Sequence, residues 1–238
     1  MRTIFLADAH LRSPDDANYR LLLRFLGELA GRVETLCILG DLFDFRVGLP
    51  SLPFPEQEPV LDALARLRRG GTRLLYLEGN HDFHLGTAFA RRIGAELHRR
   101  PVMVELQGVR VMLCHGDLVN PADWRYRLLY LALRNRGTAL VGRLLPAPLV
   151  QGLRRRLQRT SRSRYREDRD RWDYRAIITR HAATIRRQGC EALVLGHFHL
   201  PFIEHDGRFT LLSLGDWIGQ FSYGELQDGR FTLTTYSP

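Results

Sequence analysis

Five short segments of this chain carry side chains of the kind that hold divalent metal ions: Asp8-Ala9-His10, Gly40-Asp41-Leu42-Phe43-Asp44, Gly79-Asn80-His81-Asp82, His115-Gly116-Asp117 and Gly196-His197-Phe198-His199. Carboxylate, imidazole and carboxamide together, without thiolate, suit borderline-to-hard ions such as Mn, Fe, Zn or Mg. Two such ions ~3.5–4 Å apart can clamp the attacking and leaving oxygens of an in-line displacement at phosphorus. Seven ligands, with one carboxylate shared, fill two such sites and leave room for water and substrate. Taken singly, each segment has a structural reading. An Asp after a strand is commonly a turn residue or a helix N-cap, and a buried His is commonly a satisfied core residue. Five of them in one order, each with its glycine, point to chemistry instead.

The elements that must position these residues are visible just upstream. Thr3-Ile4-Phe5-Leu6-Ala7, Leu36-Cys37-Ile38-Leu39, Leu74-Leu75-Tyr76-Leu77, Val111-Met112-Leu113-Cys114 and Ala192-Leu193-Val194-Leu195 are apolar runs too short for globular helices. They read as strands buried on both faces. Four of the five segments follow their run directly, so the ligands sit where strands end, and a pocket forms at that sheet edge.

In this order the segments resemble the calcineurin-like binuclear metallophosphoesterases, whose pattern runs D-x-H, G-D-x-x-D, G-N-H-D/E, a His followed by Gly, then G-H-x-H. The match spans residues 8–199. The resemblance implies an α+β fold, a four-layer α/β-β/α sandwich. It also implies roles: Asp8, His10, Asp41 and His199 around one ion, and Asp41, Asn80, His115 and His197 around the other, with Asp41 bridging. His81 then faces the phosphoryl group as general acid or charge stabiliser, and Asp82 orients its ring. A plain structural reading, in which Asp82 and Asp44 hydrogen-bond a backbone loop, stands beside that one. The implied cofactors are two divalent ions, Mn first, with Fe, Zn or Mg as alternatives.

Composition is consistent with one such domain. The chain has 238 residues, 45% hydrophobic and 26% charged, enough for one substantial core and an embellishment. No internal repeat is evident. Cys37, Cys114 and Cys190 lie in or beside expected strands at no metal-binding spacing, as small core hydrophobes of a reducing compartment do. No apolar run approaches the ~18 residues that span a bilayer, and no signal peptide is visible, so a cytoplasmic location is expected. All 35 basic residues are Arg, and the net charge of +9 predicts attraction to anionic partners.

Between the fourth and fifth segments the composition changes, and a helical cap inserted over residues 120–175 is expected, with the core comprising 1–119 and 176–238. From Ala122 to Arg136 the apolar positions Tyr126, Leu129, Tyr130 and Leu133 recur at helical spacing with arginines beside them, and Asp123 or Asn120 caps the helix. Another helix, Tyr174 to Gln188, ends at Gly189. A cap with apolar faces and arginine edges suits a ligand that is half lipid and half phosphate, or a membrane surface. The alternative is that its apolar faces pack on the core and its arginines are solvated. The run from Gly207 to Tyr236 reads as strands closing the second sheet, with Asp228-Gly229 as a hairpin turn.

A narrower resemblance concerns this cap. Asp123, Leu133-Arg134-Asn135 and Ser161, with Leu214-Gly215-Asp216-Trp217, are similar to the UDP-2,3-diacylglucosamine diphosphatase family of lipid A biosynthesis. That resemblance implies a pyrophosphatase that releases UMP from a nucleotide glycolipid. Asn80, His81, Asp123 and Ser161 would touch the substrate, and the enzyme would sit peripherally on the inner membrane. Two positions depart from the family. It typically reads G-N-R-D where this chain has Gly79-Asn80-His81-Asp82, and Tyr165 and Asp168 stand where an Asn and a Lys are usual. A fixed guanidinium fork is thus replaced by an imidazole that titrates and can give a proton. Three readings follow: this pyrophosphatase; a broader phosphodiesterase or a protein or nucleotide phosphatase; and a nuclease or nucleic-acid-binding protein. The last is disfavoured because the arginines alternate with leucine rather than exposed aromatics and no nucleic-acid motif occurs.

Overall fold

The computed structural model describes residues 2–48, 54–135, 137–138, 140–141, 152 and 171–237. Two sheets are stacked face to face. The first has the order β13-β12-β1-β2-β4-β6, where β1 is Arg2–Leu6, β2 Thr35–Ile38, β4 Arg73–Leu77, β6 Glu96–His98, β12 Ser222–Gln227 and β13 Arg230–Thr235. The second runs β10-β11-β9-β8-β7, with β7 Val102–Leu106, β8 Val109–Cys114, β9 Ala192–Leu195, β10 Phe202–Asp206 and β11 Phe209–Ser213. A two-residue pair, β3 Arg46–Val47 with β5 Asp82–Phe83, stands outside both sheets.

Three apolar clusters explain the layering. Phe5, Cys37, Leu39, Leu75 and Leu77 from the first sheet meet Val111, Leu113, Val194 and Leu212 from the second, which makes the inter-sheet core. The opposite face of the first sheet, with Ile4, Leu6, Leu36, Ile38 and Tyr76, is covered by α1 (Ala17–Leu29), α2 (Glu58–Arg69) and α3 (Gly86–Ile93). Helix α1 buries Tyr19, Leu22, Phe25, Leu26 and Leu29, a stripe at intervals of three and four. The far face of the second sheet packs against Ile178, Ala182 and Ile185 of α5 (Tyr174–Arg187). The result is the four-layer α/β-β/α sandwich the motifs implied.

Strands β1, β2 and β4 are mutually parallel neighbours, as are β8 and β9. Strands covered on both faces need no polar alternation, which is why their sequences are continuous apolar runs. Parallel pairing also puts all their C-terminal ends on one side of each sheet, so the five motif loops emerge together.

The C-terminal strands depart from expectation. Strand β11 joins the second sheet, but β12 and β13 extend the first, β12 lying antiparallel on β1. Asp228 (φ 52°) and Gly229 (φ 75°) form the two-residue turn between them, both left-handed as a type I′ hairpin turn needs. The three cysteines are buried free thiols.

Of the expected cap, helix α4 (Trp124–Leu133) is described, while residues 142–151 and 153–170 lie outside the described residues. Asp123, not Asn120, caps α4: its carboxylate accepts from the Tyr126 backbone N–H at 2.9 Å. Leu133 packs against Phe45, Val47, Phe54 and Phe83, the small cluster around β3 and β5. Helix α5 is capped by Asp173 and stops before Gly189 (φ 83°), as the sequence suggests.

Candidate metal centre

Asp8, His10, Asp41, His197 and His199 all have left-handed φ, between 45° and 71°. Such a conformation costs a non-glycine residue about 1–2 kcal/mol, and its concentration in one place marks a functional site. These residues bend the chain sharply two to four positions past each strand end, so that Asp8 and His10, or His197 and His199, face the same space.

The loops are locked to one another. The N–H groups of Asp8, His10 and Leu11 donate to the carbonyls of Gly40, Asp41 and Leu42, carrying the β1–β2 ladder into the site. Across the sheets, the His197 N–H donates to Asp8 Oδ2 at 2.7 Å. Two glycines allow the close approach. A Cβ on Gly79 would collide with Asp41 Oδ1 and the Asp41 backbone, and one on Gly196 with the Asp8 carboxylate.

Within this frame Asp8, His10 and His199 bring one ligand atom each within 4.8 Å of the others, as do Asp8, Asp41 and His115. Asp41 Oδ2 lies 3.7 Å from His10 Nε2 and 3.5 Å from His115 Nε2, so a single carboxylate oxygen faces both halves of the cluster. On the far side Asn80 Oδ1 is 2.9 Å from both His115 Nε2 and His197 Nδ1, three donor atoms converging on one point. The seven residues expected as ligands are thus brought together around Asp41, and His10, Asp44 and His81 form a further group of the same kind beside them.

The other ring nitrogens are held from behind. His115 Nδ1 donates to the Leu39 carbonyl at 2.8 Å, which leaves Nε2 as the ligand atom. His199 Nδ1 faces Asp216 Oδ2 at 3.4 Å while its Nε2 faces Asp8 Oδ1 at 3.6 Å. Asp216 in turn accepts from the N–H groups of Ile218, Gly219 and Gln220. These supports hold it near 2, against the opposing effect of burial. No local signal in the sequence ties Asp216 to His199, 17 positions away; only its Leu-Gly-Asp-Trp context singles it out.

Charge and hydrogen bonding show what the cluster fits. Asp8 Oδ1 and His10 Nε2 are buried without a hydrogen-bond partner, and a buried polar atom left so calls for a ligand or ion. Burial pushes Asp8 up to about 6. Asp41 is held well below the usual carboxylate range: burial would raise it, but the imidazoles of His115, His81 and His10 outweigh that. Burial drives His10 well down and takes His197 to about 3, keeping both neutral as metal ligands must be. The donor set and the orphaned atoms fit divalent cations.

His81 and Asp82 are placed differently from each other. The ring of His81 packs edge-on to that of His10, centroids 4.7 Å apart, and its Nδ1 donates to the Asp44 carbonyl at 2.8 Å. The Asp44 backbone carbonyl therefore orients the His81 ring. Asp82 does not act in that way in the hydrogen-bond pattern: its oxygens accept from the backbone N–H groups of Asp41, Leu42 and Gly79 and from the Tyr76 hydroxyl. It is the buried tie between the second and third motif loops, the structural alternative noted above. Asp123 caps α4, and Ser161 lies outside the described residues.

Comparison with known proteins agrees with this geometry. The family model for calcineurin-like phosphoesterase matches residues 1–201. UDP-2,3-diacylglucosamine hydrolase of Aeromonas salmonicida (strain A449) is 34% identical over 100% of this chain and 96% of its own length. The enzymes of the same name from Stenotrophomonas maltophilia (strain K279a) and Pseudomonas paraeruginosa (strain DSM 24068 / PA7) are 33% and 36% identical, over 99% and 91% of this chain and 98% and 91% of theirs. Among solved structures, an archaeal phosphodiesterase superposes with a TM-score of 0.53 at 13% identity, covering 99% of this chain and 100% of that one. Vps29 from Entamoeba histolytica, in a single-mutant form, gives 0.51 at 16%, covering 98% and 97%. These structural likenesses show the fold alone. With the family model and the full-length relatives, they establish that the chain belongs to the calcineurin-like phosphoesterase family of metal-dependent hydrolases acting on phosphate bonds.

Proposed function

We propose that the protein hydrolyses the pyrophosphate of a UDP-2,3-diacylglucosamine-type glycolipid to UMP and a lipid phosphate. The observation that carries this reading is full-length, collinear similarity to enzymes of that name, in a chain whose seven ligand-type residues also converge in space. Two ions, Mn first among the candidates, held by Asp8, His10, Asp41 and His199 and by Asp41, Asn80, His115 and His197, would supply Lewis acidity at the phosphoryl oxygens and at the attacking water.

The remaining steps belong to the chain itself. The water oxygen forms a bond to one phosphorus as the bond to the bridging oxygen breaks, and the electron pair leaves with the departing phosphate. His81 Nε2, its ring fixed through Nδ1 and Asp44, faces the charge that grows on the phosphoryl group. A guanidinium at that position would carry a fixed charge; the imidazole can also transfer a proton. Asn80, beside His115 and His197, is assigned to the ion and, by resemblance, to substrate contact as well. Asp123 and Ser161 are assigned to substrate contact by resemblance, and Asp123 in that role would act from its place at the head of α4.

A lipid substrate requires a lipid surface, and α4 supports peripheral association with the inner membrane from the cytoplasmic side. Among the described residues no helix is long and apolar enough to cross a membrane.

The test is hydrolysis of UDP-2,3-diacylglucosamine with Mn²⁺, beside bis(p-nitrophenyl) phosphate and p-nitrophenyl phosphate. Fast, metal-dependent release of UMP with little turnover of the generic esters is expected. Turnover of the generic esters without UMP release would leave the family and overturn the substrate, transferring the assignment to a broader phosphodiesterase that His81 suits.

A further inference from the structure

The two halves of the metal centre are braced differently. Asp8, His10 and His199 are supported from within the sandwich, through Asp216 and the β1–β2 loops. Asn80, His115 and His197 share that support, through the Leu39 carbonyl behind His115 and the Asp8 carboxylate at the His197 N–H, and their loops have a further brace in helix α4.

Arg134, immediately after α4, is the principal contact. Its side chain is largely covered, with the guanidinium carbon 4.7 Å from the centroid of the Tyr130 ring and 5.2 Å from that of Phe83. Nη2 donates to the carbonyl of Gly79, the residue directly before Asn80, and Nη1 lies 3.9 Å from the buried Glu78 carboxylate. The clasp is mutual: His84, on the same motif segment, donates from Nε2 to the Leu133 carbonyl at 2.9 Å. At the other end of α4, the Tyr126 hydroxyl donates to Asp117 Oδ2 at 2.7 Å, and its ring lies 6.2 Å from that of His197. One helix thus grips both the Gly79-Asn80 loop and the His115-Gly116-Asp117 loop. It makes no comparable contact with Asp8, His10 or His199 among the described residues.

We infer that Arg134 is a positioning residue through which docking of α4 assembles one of the two metal sites, that of Asn80, His115 and His197, while the other forms independently of it. The inference rests on the two-ion reading of the centre. Outer residues that orient ligands typically change metal affinity 10–100-fold when lost. Here the loss should fall on one ion.

The experiment is calorimetric titration of metal-free, full-length protein with Mn²⁺, checked by Mn²⁺ electron paramagnetic resonance. Wild type should bind two ions. In Arg134→Gln one ion should bind as in wild type and the other at least ~10-fold more weakly than either does in wild type. Arg134→Lys, which keeps a charge that can reach the carbonyl but not the planar fork between the two rings, should fall between. Tyr126→Phe removes a single hydroxyl and should weaken the same ion by a smaller factor, which keeps the test available if Arg134→Gln does not fold. Asp216→Asn should weaken the other ion instead. Two ions at wild-type affinities in Arg134→Gln, or equal weakening of both, would overturn the inference. Binding of fewer than two ions by wild type would instead overturn the two-ion reading beneath it.

Discussion

Asp41 and His81 stand a few ångströms apart with different duties, and they can be separated by experiment. Asp41 faces imidazoles in both halves of the centre, so Asp41→Ala should remove metal and at least ~1,000-fold of turnover together. His81 is oriented by a backbone carbonyl and is assigned to neither of the two proposed ligand sets, so His81→Ala should retain two ions and lose ~100-fold. Metal content after dialysis, read beside initial rates, tests both, and unchanged turnover in His81→Ala would strip that residue of its role. The protonation of the metal-free site gives a further expectation. Burial works against charge on His115, but Asp41 and Asp8 outweigh it and lift the imidazole to about 9. A proton is therefore present on His115 at pH 7 and must leave when a cation takes Nε2. Metal affinity should rise with pH up to about 9 and level off above it. Titration calorimetry in buffers of different ionisation enthalpy would report the released proton, and binding at pH 7 without proton release would contradict the charge balance described.

Among the elements, the strand-end loops show how backbone geometry limits sequence. Gly79 packs its Cα face against Asp41, so Gly79→Ala should displace that carboxylate and lose at least ~100-fold of activity together with bound metal. Gly27 makes the opposite case: it is exposed in α1 with nothing near a new Cβ, and Gly27→Ala should stabilise the fold by ~0.5–1 kcal/mol. Thermal melts and metal analysis of the two variants check both. The same loops were the most legible part of the chain. Strands buried on both faces announce themselves as apolar runs, and motifs at their ends need only parallel pairing to meet. What was not legible depends on choices made in three dimensions. Either sheet offers an edge to a C-terminal hairpin, and the packing of Leu226 and Phe231 into the inter-sheet core, with β12 pairing on β1, decides for the first. Asp82 sits beside His81 in sequence, yet its carboxylate is drawn to the backbone N–H groups of a loop 40 residues away. Asp216 reaches His199 only because β11 returns the chain beside β9.

For the whole molecule, the proposed lipid substrate raises the question of how a basic protein meets a membrane surface. The spacing of Tyr126, Leu129, Tyr130 and Leu133 led to a single apolar face on α4, yet Trp124, Leu128 and Leu131 form another, 60%, 57% and 64% exposed. Contiguous large apolar side chains turned outward mark a contact surface, and here they lie along one side of α4. Arg125 and Arg127 flank that side, and the net charge is +9. Apolar insertion and attraction to anionic head groups then act together. Half-buried insertion of three large side chains contributes on the order of 3 kcal/mol, or ~100-fold in partitioning. Sedimentation with vesicles of phosphatidylglycerol and phosphatidylethanolamine should capture the protein at low salt and release part of it as ionic strength rises, because only the charged contribution is screened. The triple change of Trp124, Leu128 and Leu131 to Gln should reduce capture ~100-fold while leaving the binding of two Mn²⁺ ions intact. Equal capture of wild type and variant would show that charge alone holds the protein to the surface, and the apolar ridge of α4 would need another explanation.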